Sequence, residues 1–177
     1  MFKRIFCLLF VFTLISLCLN IAQEGHAKPK RWRATWWSDP ATTMAIAWSQ
    51  PERGEALLRY GLRSAEQDAT ELPYTLRINT PEKGKTYWAQ LSGLLPNTSY
   101  QFEVETQEGT SRRLWFKTAA KEPTLLKVVA GGDSRNQRSI RRIANQTVAE
   151  LQPDFVLFGG DFTSSDSKKQ WKRWLDD

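Results

Sequence analysis

The sequence predicts a β-sandwich followed by the opening βαβ unit of an α/β domain. Three observations carry this. Through residues 31–118 apolar side chains alternate with polar ones, the period-two pattern of strands with one buried face. From residue 125 the alternation stops, and two unbroken apolar runs flank a segment of helical periodicity. Each run ends in the same three residues, Gly-Gly-Asp. A length of 177 residues allows one domain, or one small domain and part of another.

The first 27 residues stand apart. After the basic "MFKR", Ile5 to Ala22 is almost uninterruptedly apolar, and Gly25-His26-Ala27 offers a small-residue cleavage site before Lys28. Residues 1–27 are read as a secretory signal, which puts the mature chain in the periplasm or outside the cell. An uncleaved membrane anchor is the competing reading, because about 18 apolar residues just suffice to span a bilayer. A lipoprotein signal is disfavoured by Leu17, which is not small, before Cys18. Cys7, Cys18 and His26 all lie in this segment, so the mature chain has no Cys and no His. Disulfides, thiol chemistry, zinc-finger sites and histidine-based triads are thereby excluded within these residues. Signal removal lowers the formal charge from +6 to +5, through Lys3, Arg4 and Glu24. The remaining cations are scattered over Arg112-Arg113, Arg141-Arg142 and Lys168-Lys169 rather than gathered in a stripe. They read as solvated surface; neither nucleic acid nor, after cleavage, a membrane is the expected partner.

Residues 28–119 form the predicted sandwich. Met44, Ile46 and Trp48 alternate with small or polar neighbours, as do Tyr87, Ala89 and Leu91, and then Tyr100, Phe102 and Val104. The Pro- or Gly-containing breakers "SQPERGE", "NTPEKGK" and "ETQEGTS" separate the strands, giving about seven in fewer than 100 residues. In "LLPNTSYQFEV", Leu94, Pro96, Thr98 and Tyr100 fall at every second position before a strand. That arrangement lets a tyrosine hydroxyl fold back onto the upstream backbone. The segment resembles fibronectin type III domains, a fold that serves as spacer, docking surface or enzyme appendage alike. Adjacent Trp36 and Trp37 would point to opposite faces of a strand, the outer ring packing on a neighbouring domain or binding a ligand. Asn97 and Asn145 open glycosylation sequons, meaningful only in a host that glycosylates.

A polar linker, residues 120–124, leads to residues 125–177. Leu125 to Ala130 is a continuous apolar run, as expected of a parallel strand buried on both faces. Ile140, Ile143, Ala144, Thr147, Val148 and Leu151 then recur at helical spacing, with Ser139 placed as cap and Pro153 as stop. Phe155 to Phe158 is the second strand. In a βαβ unit both strands run the same way, so Asp133 and Asp161 fall at one sheet edge, where open α/β folds place ligands. Strands lie roughly 5 Å apart. Carboxylates held that close repel unless a cation lies between them or one is protonated. The pair is read as half of a divalent-metal site, built of the hard oxygen ligands such cations accept. Against this stands the commonplace use of a single Asp to cap a turn. "AGGDSRNQ" lacks the Gly-x-Gly-x-x-Gly and Gly-Lys-Ser/Thr of nucleotide-binding loops, and Arg135 stands where a phosphoaspartate enzyme has its second Asp.

A fibronectin-like sandwich opening on "ATWWSDPATTMAIAWSQ", then "VVAGGDSR", a helix and "PDFVLFGGDFT", resembles the purple acid phosphatase branch of the metallophosphoesterases. The resemblance implies that Asp133 is a ligand of one metal and Asp161 the carboxylate bridging two. Such cations, about 3.5–4 Å apart and drawn from Fe, Zn or Mn, clamp a phosphate ester and generate a hydroxide nucleophile. Arg135 is a candidate phosphate ligand, with pairing to a surface carboxylate as the alternative. Two departures matter. Ser164 stands where purple enzymes carry a metal-bound Tyr, so a ferric-tyrosinate colour is not expected. The family's Gly-Asn-His and Gly-His-x-His motifs have no counterpart, so no catalytic set is complete and tight metal binding is not expected.

The last segment, residues 166–177, reads as a helix capped by Ser165 or Asp166, with Trp171, Trp174 and Leu175 on one face. It closes on Asp176-Asp177, the wrong charge for a helix C-terminus. Two strands and two helices would leave sheet edges uncovered. The expectation is therefore the N-terminal part of a secreted phosphomonoesterase, whose missing partner is the rest of its own catalytic domain. The alternative is a secreted, non-catalytic binding module in which the sandwich does the work.

Overall fold

The structure, a computed structural model, describes residues 28–64, 71–122 and 125–177. The predicted signal, with Cys7, Cys18 and His26, and linker residues Pro123 and Thr124 lie outside the described residues. Among the described residues, no helix is long and apolar enough to cross a membrane.

The alternating segments become strands of two antiparallel sheets. One has the order β1-β2-β5, from Lys30–Thr35, Met44–Ser49 and Thr86–Leu91. The other has the order β4-β3-β6-β7, from Tyr74–Ile78, Ala56–Leu62, Ser99–Thr106 and Gly109–Thr110. Strand β8, Leu114–Lys117, also pairs with β6. Period two decides which face is buried: Ile46, Trp48, Leu58 and Val104 are fully enclosed, while Trp88, between buried Tyr87 and Ala89, points to solvent. The rings of Trp32, Trp48 and Tyr87 stack in succession, with centroids 6.0 and 5.8 Å apart. The Tyr87 hydroxyl donates to the Gly54 carbonyl and accepts from its amide. Gly61 permits the β3–β4 connection, because a Cβ there would lie 2.8 Å from Pro73 Cδ and 2.9 Å from the Glu71 carbonyl.

The tyrosine corner forms as its spacing predicts. Tyr100 Oη accepts a hydrogen bond from the Leu95 amide at 2.8 Å. Asn97 turns the chain in the left-handed region (φ 50°), and the Thr98 hydroxyl donates to the Pro96 carbonyl at 2.7 Å. Thr118, fully buried, closes the corner from the far side, accepting from the Thr98 amide and donating to the Leu95 carbonyl.

Beyond the linker lies a two-stranded parallel sheet, β9 (Val128–Gly131) and β10 (Phe155–Phe158), in register from Val128↔Phe155 to Gly131↔Phe158. Between them runs helix α1 (Arg138–Leu151), and after them α2 (Lys168–Asp176). Several expectations are corrected here. The first strand starts at Val128 rather than Leu125, which is fully exposed, and neither strand is covered on both faces: Val156 and Leu157 are about half exposed. Among the described residues, the two helices beside this strand pair leave those side chains open to solvent. Helix α1 begins one residue before Ser139; Gln137 holds the cap position without a side-chain bond, and Gln152 ends the helix in the left-handed region ahead of Pro153. Helix α2 is capped by Ser167, whose hydroxyl accepts from the Gln170 amide, rather than by Ser165 or Asp166; Asp166 accepts from Trp171 Nε1 instead.

The apolar stripe of α1 is also not a buried one, since Ile140 and Ile143 are 60% and 67% exposed. The enclosed residue of α1 is Arg141, which with Arg138 and Arg142 closes on the Asp177 carboxylate. The Arg141-Arg142 pair is thus part of an ion cluster in which Arg141 is buried, against the solvated surface expected of it, while Arg142 stays largely exposed. This cluster also resolves the acidic end of α2. The Asp177 carboxyl is held well below the usual carboxylate range, foremost by its hydrogen bond from Arg138. Asp176 is lowered by its bond from Arg31 of β1, at 2.6 Å. Trp36, just past β1 rather than within it, packs edge-on against Phe155 of β10 at 5.4 Å, while Trp37 remains half exposed.

Candidate functional site

The two Gly-Asp turns meet at the carboxyl edge of the parallel sheet and are joined backbone to backbone. The Gly159 amide donates to the Gly131 carbonyl (2.7 Å), the Asp133 amide to Gly160 (3.0 Å), and the Arg135 amide to Asp161 (3.0 Å). The sharp turns fall on the aspartates as well as on a glycine: Asp133 and Asp161 have φ of 53° and 51°, alongside Gly160 at 108°. Aspartate is among the few side chains that tolerate this region, because its short polar group finds local hydrogen bonds.

Arg135, also in the left-handed region (φ 35°), brings the two carboxylates to one group. Its Nε lies 2.5 Å from Asp133 Oδ1 and its Nη2 2.9 Å from Asp161 Oδ2. All three side chains are more than half exposed. The guanidinium is held above its ordinary pKa, foremost by the hydrogen bond to Asp161 and then by the charge of Asp133. A shallow depression of about 280 Å³ opens beside Asp161, lined by Phe162, Thr163, Ser165, Asp166 and Trp171.

Two hard oxygen donors already sharing one cationic group fit the chemistry of a hard metal ion. They would supply only part of its coordination. Among the described residues, no cluster of three or more His, Cys, Asp or Glu converges.

Residues to which the sequence assigned no role at this site hold the edge in place. Arg141 Nη1 donates to the Arg135 carbonyl at 2.6 Å, so the buried arginine of α1 fixes the backbone from which the bridging side chain springs. Asn136 Nδ2 donates to Ser164 Oγ at 3.0 Å, and Trp174 Nε1 to Ser134 Oγ at 2.8 Å, each bond tying the first turn to the chain beyond the second. Phe158, Phe162, Trp171 and Trp174 cluster beneath, with ring centroids between 4.6 and 6.3 Å apart. The signal for Arg141 was present in its spacing: Arg138, Arg141 and Asn145 form a polar stripe at helical period beside the apolar one.

A two-sheet sandwich leading into a parallel strand pair whose carboxyl edge carries two facing carboxylates defines a β-sandwich domain followed by a βαβ unit. The chain belongs to the family described as purple acid phosphatase, N-terminal domain, whose model matches residues 29–118. Among solved structures it is similar to PhoD, at 11% identity and a TM-score of 0.56, over 74% of this chain and 27% of that one. The covered share exceeds the sandwich, so the likeness in fold runs beyond it. The chain spans about a quarter of the PhoD chain's length. It is also similar to a fibronectin type III domain of human collagen XX (14% identity, TM-score 0.38, 51% of this chain and 88% of that one). Chicken CNTN1 domains FN1–FN3 match at 18% identity and a TM-score of 0.38, over 51% of this chain and 30% of that one. No curated protein matches the sequence.

Proposed function

We propose that this chain contributes the first two carboxylate ligands of a metal-dependent phosphoesterase acting on phosphate monoesters, and that it is exported by residues 1–27. The observation that carries the reading is the convergence of Asp133 and Asp161, from matching strand ends, on a single cationic group. Membership of a phosphatase-associated family supports it. In this role Asp133 would be a ligand of one metal and Asp161 a ligand shared by two, whether Fe, Zn or Mn. When bound, such ions act as Lewis acids toward a phosphoryl oxygen. Arg135 offers a planar fork of donors matched to phosphate oxygens. The backbone bonds between the turns keep the carboxylates at one edge, and the aromatic cluster gives that edge a firm base.

Two carboxylates make a weak chelator, so residues 28–177 by themselves should show no phosphomonoesterase turnover. Protein expressed from the intact gene should hydrolyse an aryl phosphate, lose the activity to a chelator and regain it with added metal. There, Asp161→Asn should cost more than Asp133→Asn, because a bridging ligand serves both ions. Absence of metal-dependent hydrolysis would replace this reading with that of a secreted binding module. Export is tested separately by N-terminal sequencing of material from outside the cytoplasm, which should begin near Lys28; a start at "MFKR" would contradict it.

A further inference from the structure

We propose that Arg135 is a built-in competitor for the cation of this site: its guanidinium holds Asp133 and Asp161 until a metal ion displaces it. The inference rests on the metal-site reading above and adds to it a means of regulation.

Arg135 divides into a fixed backbone and a free side chain. Its amide donates to the Asp161 carbonyl, its own carbonyl accepts from Arg141, and Asn136 next to it is tied to Ser164. The side chain, by contrast, is 53% exposed and bonded to the two carboxylates. It can therefore leave them without disturbing the turn from which it grows. Nor is it needed to hold the turns together, because three backbone hydrogen bonds already do so. What the guanidinium supplies is charge: one positive group between two negative ones, in the position a metal ligated by both carboxylates requires. Exposed ion pairs of this kind are individually weak, so a divalent cation can displace the arginine while still being opposed by it. The fork geometry matters as well as the charge, because one planar group reaches both carboxylates at once, which a lysine ammonium cannot match.

The test is binding of Tb³⁺, a hard oxygen-seeking probe, to the full chain, read by luminescence sensitised through Trp171, which lines the depression beside Asp161. Arg135→Gln should tighten Tb³⁺ binding by about 3- to 10-fold, the effect of removing one to two exposed ion pairs. Arg135→Lys, which keeps the charge and loses the fork, should fall between wild type and Arg135→Gln. Adding Asp161→Asn to Arg135→Gln should abolish the gain. Unchanged or weaker binding in Arg135→Gln overturns the proposal while leaving the metal reading intact. So does Arg135→Lys behaving like wild type, since charge alone then suffices, or a gain that survives Asp161→Asn. If neither wild type nor Arg135→Gln binds Tb³⁺ even at concentrations that saturate a simple dicarboxylate, the two aspartates are not the weak chelator proposed above, and the metal reading falls with this proposal.

Discussion

Trp48 and Ile143 are both large apolar side chains placed by a regular periodicity, and they meet opposite fates. Trp48 is wholly enclosed between two sheets, whereas Ile143 is two-thirds exposed on a helix beside only two strands. The sandwich is held by apolar burial, with Ile46, Leu58, Leu91 and Val104 equally hidden. The βαβ unit is held by other means: backbone bonds between its turns, an aromatic cluster, and arginines closing on the carboxylates of α2. Period therefore locates an element's apolar face, but the number of neighbouring layers decides whether that face is buried. A unit short of layers leans on charge, and so should respond to pH and salt where the sandwich does not.

The largest effect should come from the core of the sandwich. Trp48→Ala removes a fully buried ring stacked on Trp32 and Tyr87, and should cost about 3–5 kcal/mol in chemical denaturation. A smaller loss would mean that the sandwich collapses around the cavity. Next comes the ion cluster. Asp177→Asn should cost about 1.5–3 kcal/mol, the range for hydrogen bonds to charged groups, read by hydrogen exchange of the α2 amides. Because the folded carboxyl is depressed below its ordinary value near about 4, this stabilisation is present above that pH. It should fade as pH falls further, until wild type and variant converge; a wild-type advantage that persists in strong acid would show that charge is not its source. High salt should shrink the same difference by exposing Arg138 and Arg142 to screening, while leaving the Trp48→Ala loss unchanged. Tyr100→Phe should cost about 1 kcal/mol by leaving the Leu95 amide without its partner. Ile143→Gln should change stability by less than about 0.5 kcal/mol, as at other exposed positions. A large loss there would mean that the helix face is covered in solution.

The strands of the sandwich and its tyrosine corner were legible in the sequence because each depends on local pattern: alternation, turn residues and a fixed spacing before Tyr100. The apposition of Asp133 and Asp161 was legible for a topological reason, since matching strand ends in a βαβ unit share an edge. What was not legible depends on partners far along the chain. Arg141 looked like half of a solvated pair until Asp177, 36 residues on, supplied its counter-charge. Ser139 looked like a cap, but the Arg135 turn starts the helix earlier, and Ser167 displaced its neighbours because its hydroxyl reaches the Gln170 amide. Arg135 offered two roles to a reader of the sequence, phosphate ligand and carboxylate partner. Its φ of 35° and the folded turns set it against both aspartates.

The left-handed backbone at Asp133 and Asp161 has a consequence for which replacements each position accepts. Glutamate would carry the same charge and donor atoms, but its longer side chain lacks aspartate's tolerance of φ near 50°, so chemical equivalence does not make it a neutral exchange. Asparagine has the reverse profile: it keeps the backbone conformation and surrenders the charge. Aspartate thus suits each position twice over, once by shape and once by charge, and each of these two conservative exchanges keeps only one of the two.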